Sequence, residues 1–520
     1  MTEIADHKRG ARRRQRRRSN DEGTQPLDRE VDYHNLINPF VPLTLYSDDE
    51  TAAIHDNAVH VLEELGIKIL LPEARELLRE AGAIVDNETQ MVCIGREIVE
   101  EAIASAPKSF LLKGARQQLD LRLELGRLSF TPGGGCPYTY DQQRGRRAGS
   151  LSDYDELMRL NAGFSALQVQ GGTVEIQDVP PATRHLDATR VKLTVSEKVP
   201  VVHARGRGQV EDCFEMVRMM RGVSHDEFIS APHTFTVINT NSPRQIDAPM
   251  AQGIIDFAKY GQVSFITPFC LAGAMAPITL AGALTLQHAE ALAGITLAQT
   301  ARPGAPVLYG SFCSSVDMRS GSPAFGTPEH VKATLASGQL ARHLGLPWRA
   351  SAGTGANLAD AQAAHETHMS AWAAMMAGAT VVIHSAGWLE GGLTIGYEKM
   401  IADMEMVQGL AELCRPESVD EAGLALSAIA EVEPGGHFFA TPHTMERYRT
   451  AFYERLVSDR SNLGQWEEAG KPSVMDRANQ IWQERLEAFR PPSLDSARIA
   501  QLDEFVAKRK QKGGAPPLGT

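Results

Sequence analysis

The sequence predicts an α/β protein, a (β/α)8 TIM barrel with helical additions at its N- and C-terminal ends, and three observations carry that prediction. Eight short apolar runs of β-character recur along the 520 residues. Their spacing of about 30 to 43 residues suits a strand, a helix and two loops, and eight such units close a parallel barrel. Each run is followed by a stretch with apolar residues at helical spacing, and the run ends are dense in glycine and polar residues, as they are where a barrel presents its working groups.

Taken in chain order, residues 1–30 are a basic arm. Lys8 to Arg18 (KRGARRRQRRR) carries eight basic residues and no acid, against a net charge of −12 for the whole chain. Like charges at that density repel, and no companion nucleic-acid motif accompanies them, so the arm reads as a disordered tail or one docked on the acidic body. Residues 31–120 read as a helical N-terminal layer; PEARELLREAG, for example, has Pro72 placed for a helix start and Gly82 for its end. The barrel spans 121–415, with runs near Leu128 to Thr131, Leu167 to Gln170, Val199 to His203, Thr234 to Asn239, Val263 to Pro268, Pro306 to Gly310, Pro347 to Ser351 and Thr380 to His384. Between them, Ser152 to Ala162 opens on a serine cap, Asp247 to Lys259 on an aspartate cap, and Pro277 to Ala301 is long and alanine-rich. Residues 416–520 form a helical C-terminal region, with a Pro- and Gly-rich tail from Gly513 that should fray.

Composition excludes several classes. No apolar run approaches the ~18 residues needed to span a bilayer, and the N-terminus lacks an apolar signal region, so a cytoplasmic location is expected. Six scattered cysteines read as reduced thiols rather than a disulfide framework or a CxxC zinc site. His365 and His368 in HETH lie on one helical face, yet this is not HExxH and a third ligand is missing, so no metal is expected. Gly133 to Gly135 is not GxGxxG and reads as a loop glycine run. Acids near the run ends are too sparse for a two-carboxylate hydrolase or a divalent-metal barrel.

The richest segment is TVVIHSAGWLEGGLTIGYEKMIADME, from Thr380 to Glu405, where a β-branched strand ends in a polar, glycine-rich turn before a helix. It places His384, Trp388 and Glu390 at the barrel mouth. By residue type alone His384 is equally a core histidine, and Trp388 and Tyr397 are equally packing residues. Other run ends offer Phe269, Tyr309 and Phe312 as aromatic walls, and Arg205, Arg244 and Arg349 as cations.

HSAGWLEGGLT at 384–394, Tyr397-Glu398-Lys399 with Asp403, GTGANLADAQAA at 353–364, and Gly435 to Phe438 with His443-Thr444 together resemble the trimethylamine:corrinoid methyltransferase family, in its branch without pyrrolysine. The resemblance spans most of the chain. It implies a barrel whose mouth receives a methylated amine and the corrinoid of a separate carrier protein, with homo-oligomeric assembly. A cobalt(I) corrinoid is itself the nucleophile, so the protein has only to position an N-methyl carbon and exclude water, which agrees with the sparse acids. The family's pyrrolysine stretch corresponds to Ser351 to Leu358, near Asn357, where only standard residues occur. A quaternary amine leaves as a neutral amine without such help, so glycine betaine or a related betaine becomes the implied substrate. His384 and Glu390 are then catalytic candidates; Phe269, Tyr309, Phe312, Trp388 and Arg349 line the substrate; and Gly353, Gly355, Asn357, Gly391 and Gly392 face the corrinoid. A paralogue for another methylated amine, a corrinoid-independent barrel enzyme and a non-catalytic betaine-binding protein are the alternatives.

Overall fold

The computed structural model describes residues 31–518; the basic arm lies outside the described residues. All eight apolar runs are strands. Numbering only the barrel, they are β1 (Arg127–Phe130), β2 (Val169–Gln170), β3 (Val199–Pro200), β4 (Phe235–Ile238), β5 (Val263–Ile266), β6 (Val307–Gly310), β7 (Trp348–Ser351) and β8 (Val381–Ile383). Each precedes its helix: α1 (Leu151–Ala162), α2 (Pro181–Val195), α3 (Arg207–Arg221), α4 (Ala248–Lys259), α5 (Leu280–Ala301), α6 (Pro328–Leu344), α7 (Ala361–Met376) and α8 (Tyr397–Glu412). Parallel pairing runs from β4 through β5, β6, β7 and β8 to β1, and separately joins β2 to β3. A parallel Val201–Phe235 bridge links β3 to β4. Gln168 closes the ring beside β2: its amide N–H donates to Phe130 O at 3.1 Å, and its side-chain carbonyl accepts from Phe130 N at 2.6 Å.

Strand alternation decides what faces the axis. Val199, Phe235, Val263, Phe265, Leu308, Val381 and Ile383 form one buried cluster inside the barrel. Leu112, Leu121 and Leu123 of the hairpin Ser109–Leu112/Leu121–Glu124 join the same cluster, so side chains fill the interior and chemistry is confined to the strand C-terminal ends. Helix α5 is buried along most of its length on every face because it packs both on the barrel and on the helices Asp48–His60 and Arg96–Ser105. The capping expectations hold with one shift: α1 is capped by Ser150 rather than Ser152, in a reciprocal capping box with Asp153, and α4 by Asp247.

Two expectations about the flanks are corrected. Residues 31–120 are not only helical, because strands Ile67–Ile69, Ile84–Asp86 and Met91–Cys93 pair into a small sheet among the helices. Their runs are three residues long, too short to show an alternation distinct from helical spacing. The tail beyond Gly513 is docked: Ala515 N donates to Ala182 O at 2.9 Å, Gln209 Nε2 to Ala515 O at 2.8 Å and Leu518 N to Arg205 O at 2.9 Å. Residues 417–454 form a compact unit of their own, with short helices Glu421–Leu424, Leu426–Ala430 and Pro442–Arg447, while 455–518 belong with the barrel. All six cysteines are free, and no described helix is long and apolar enough to cross a membrane.

Candidate functional site at the barrel mouth

His384 follows β8 directly and adopts φ +62°, and Glu390 adopts φ +54°; both are non-glycine residues held in the left-handed region within one seven-residue turn. Such conformations persist where the surroundings impose them, and they cluster at working sites. The His384 ring lies parallel to Trp388 at 4.3 Å between centroids, and its Nδ1 shares a 2.7 Å hydrogen bond with Ser351 Oγ at the end of β7. It is deep yet keeps partial solvent access. Burial, and then the charge of Arg349, hold its pKa well below the ordinary histidine value, so the ring is a neutral donor or acceptor.

An aromatic box surrounds this pair. Phe312 lies 5.5 Å from His384, 5.8 Å from Trp388 and 5.0 Å from both Phe269 and Phe325. Phe269 and Phe312 are register partners in a short parallel ladder that rises above β5 and β6, and the strand Pro323–Ala324 folds back along it to deliver Phe325. His330, on α6, meets Phe325 at 5.5 Å, and burial pushes its pKa down to about 4. Trp388 is fixed by missing side chains: a Cβ on Gly133, Gly353 or Gly392 would come within 3.0, 2.4 and 2.4 Å of its ring.

Arg349 supplies the charge. It points inward from β7, is 2% exposed, and sets its guanidinium 5.4 Å from the Phe312 ring centre. Among the described residues its side chain makes one hydrogen bond, Nη1 to Ser311 O at 3.2 Å; Nε is buried without a partner, and no carboxylate approaches it. Burial lowers its pKa to about 9. Arg205 instead pairs with Glu175, and Arg244 donates to Leu65 O and Gly66 O.

The structure thus brings together His384, Trp388, Phe269, Phe312 and Arg349. It separates others. Tyr309 alternates away from the axis next to inward Leu308, and its hydroxyl meets Gln287 and His288 of α5, so it is no wall of the mouth. Glu390 does not orient His384: its carboxylate makes a bidentate pair with Arg146 at 2.9–3.1 Å, and Arg146 lies 3.7 Å over the Tyr138 ring. Gly353 and Gly392 back Trp388, whereas Gly355, Gly391 and exposed Asn357 stay on the rim. His368 accepts from Trp372 Nε1, and Glu366 accepts from Gly355 N and Thr354 Oγ1. Phe325, His330 and Arg146 were not singled out in the sequence, and Ser351 entered only as a run end and the start of the Ser351 to Leu358 stretch. Ser351 alone had a signal, as the last inward position of β7.

Comparison with known proteins identifies the family. Residues 8–514 match the family described as Trimethylamine methyltransferase (MTTB). The chain is 35% identical over 472 residues to the glycine betaine methyltransferase of Desulfitobacterium hafniense strain Y51, covering 90% of this chain and 98% of that one. It is 31% identical to the trimethylamine methyltransferase MttB of Desulfitobacterium hafniense strain DCB-2 (90% and 94% covered) and 27% identical to that of Methanosarcina barkeri strain Fusaro (90% and 95%). A barrel with its aromatic mouth and a match along nearly its whole length leave one conclusion: the chain belongs to the trimethylamine methyltransferase family.

Proposed function

We propose that this methyltransferase moves a methyl group from a carboxylated quaternary amine, glycine betaine or a close relative, to the cobalt(I) corrinoid of a separate carrier protein. The observation that carries the substrate class is Arg349. A buried guanidinium with no acid partner disfavours a simple methylammonium ion, since two unit charges about 6 Å apart at an effective dielectric near 20 repel by about 3 kcal/mol. A zwitterion reverses that term, placing its carboxylate on Arg349 and its trimethylammonium head against the Phe312, Phe325 and Trp388 faces. The similarity to a glycine betaine methyltransferase supports the same reading.

The rim suits a docked carrier. Ile278, Met318, Leu358 and Leu393 are 70, 69, 62 and 52% exposed on the loops after β5, β6, β7 and β8, an apolar arc with Gly355, Asn357 and Gly391 beside it. The carrier's corrinoid would supply the methyl acceptor. This chain's part is to bind and orient the substrate through Arg349 and the aromatic box, exclude water, and present neutral His384, held by Ser351 and Trp388, without placing a second cation beside the ammonium.

Binding calorimetry on the purified chain tests the reading without the carrier. Glycine betaine should bind, and tetramethylammonium and trimethylammonium at least tenfold more weakly. Equal or tighter binding of the simple ammonium ions would remove the carboxylate from the account.

A further inference from the structure

A second cavity lies between the loops after β1, β2 and β3 and the helices α1, α2 and α3, and it shares no lining residue with the aromatic mouth. It holds about 70 Å³ of water-accessible space. Three residues of its lining carry a buried polar atom with no hydrogen-bond partner among the described residues: Tyr154 (Oη) on α1, Thr173 (Oγ1) after β2, and His185 (Nδ1) on α2. Tyr154 and Thr173 are only 4% and 1% exposed. Each such group costs about 1–3 kcal/mol if left unbonded, so three converging on one cavity describe a place built to hold something polar.

The charges say what. Among the described residues Lys192, 2% exposed, directs its ammonium to a single acceptor, Val201 O, and Arg184 reaches only Val179 O. Neither meets a carboxylate among the described residues. The acids nearby are already engaged, Glu175 by Arg205 and Asp212 by His185 and Arg509. Burial above all, with Lys192 and Arg205 adding to it, pushes His203 on the same wall down to about 3. The volume admits a few waters or one compact polyatomic group, not an extended molecule.

We propose that this cavity is a binding site for a compact oxyanion, a carboxylate or phosphate group, with Lys192 and Arg184 as counter-charges and the Tyr154 and Thr173 hydroxyls as hydrogen-bond donors. The docked tail closes it, since Pro517 lines the cavity and Leu518 N is held by Arg205 O. Occupancy and tail docking therefore reinforce each other.

The test titrates the full chain with sodium phosphate and, separately, sodium acetate, each against sodium chloride at matched ionic strength. Calorimetry reads affinity, and hydrogen exchange reads protection of residues 513–518. At least one anion should bind and slow exchange in the tail, and whichever binds more tightly identifies its source. Tyr154→Phe with Thr173→Val, and separately Lys192→Met, should weaken that binding at least tenfold while leaving glycine betaine affinity unchanged. Because Tyr154→Phe and Thr173→Val are close in shape, they cover the case in which Lys192→Met fails to fold. Binding of neither anion, or equal affinity in the variants, would overturn the proposal.

Discussion

Replacing Arg349 by Met separates the account from its alternatives most sharply, because stability and binding should move in opposite directions. The unbranched Met side chain can keep the packing against Phe312, while the variant loses a charge that is 2% exposed and held by one 3.2 Å hydrogen bond. An uncompensated buried charge is a liability to the free protein, so the variant should melt no lower than the parent and by up to several degrees higher. Binding should suffer. A charge-assisted carboxylate contact in a desolvated site is worth about 2–3 kcal/mol, which is about 30- to 150-fold in the dissociation constant of glycine betaine. Tetramethylammonium, which gains nothing from the guanidinium and is repelled by it, should bind better to the variant. Calorimetry with both ligands and a melting curve read all three quantities. Unchanged betaine affinity would refute the reasoning, as would a variant that is strongly destabilised and loses both ligands, which would make Arg349 a structural residue.

Other consequences follow from the same geometry. His384→Ala should cut methyl transfer by at least ~100-fold while costing only about 1 kcal/mol of stability from its lost stacking; a large fall in melting temperature with activity retained would return His384 to the core. Glu390→Gln breaks the bidentate contact with Arg146 on the rim, so betaine affinity should hold while KM for the carrier rises several-fold; unchanged transfer kinetics would dismiss the residue. Tyr309→Phe removes the hydroxyl from Gln287 and His288, and should lower stability by about 1 kcal/mol without altering betaine affinity. His330 and His233, both pushed down to about 4 by burial, bind protons less readily folded than unfolded. Their stabilisation is present above pH ~6.5 and is lost as pH falls towards 4, each by about 1.5 kcal/mol between pH 6.5 and 5. A melting temperature flat between pH 7 and 5 would contradict this, and His330→Gln should reduce the slope.

The barrel was legible because each strand is a short β-branched or aromatic run punctuated by glycine or proline, and all eight fall where the spacing placed them. His384, Trp388 and Phe312 were legible for the same reason: they lie at or just beyond strand ends. Tyr309 failed on parity, since one residue along a strand reverses the face, and only the observed inward Leu308 fixes it. Glu390 failed because its partner Arg146 is 244 residues distant in a hairpin, Tyr138–Asp141 with Gly145–Ala148, that no strand-helix pattern announces. Phe325 is brought in by a two-residue strand, too short for any periodicity. The glycines near Trp388 were visible as a composition, but their purpose was not: Gly133, Gly353 and Gly392 make a slot for an indole that only the fold assembles.

The central claim is that this barrel demethylates a carboxylated quaternary amine. The most direct measurement mixes the purified chain with a cobalt(I) corrinoid carrier protein and offers glycine betaine, tetramethylammonium and trimethylamine in turn, following cobalt methylation by its visible absorption. Rapid methylation from glycine betaine, with little from tetramethylammonium and none from trimethylamine, is the predicted result. Methylation from trimethylamine at a comparable rate, or none from glycine betaine with a carrier that other methyl donors can charge, would contradict it.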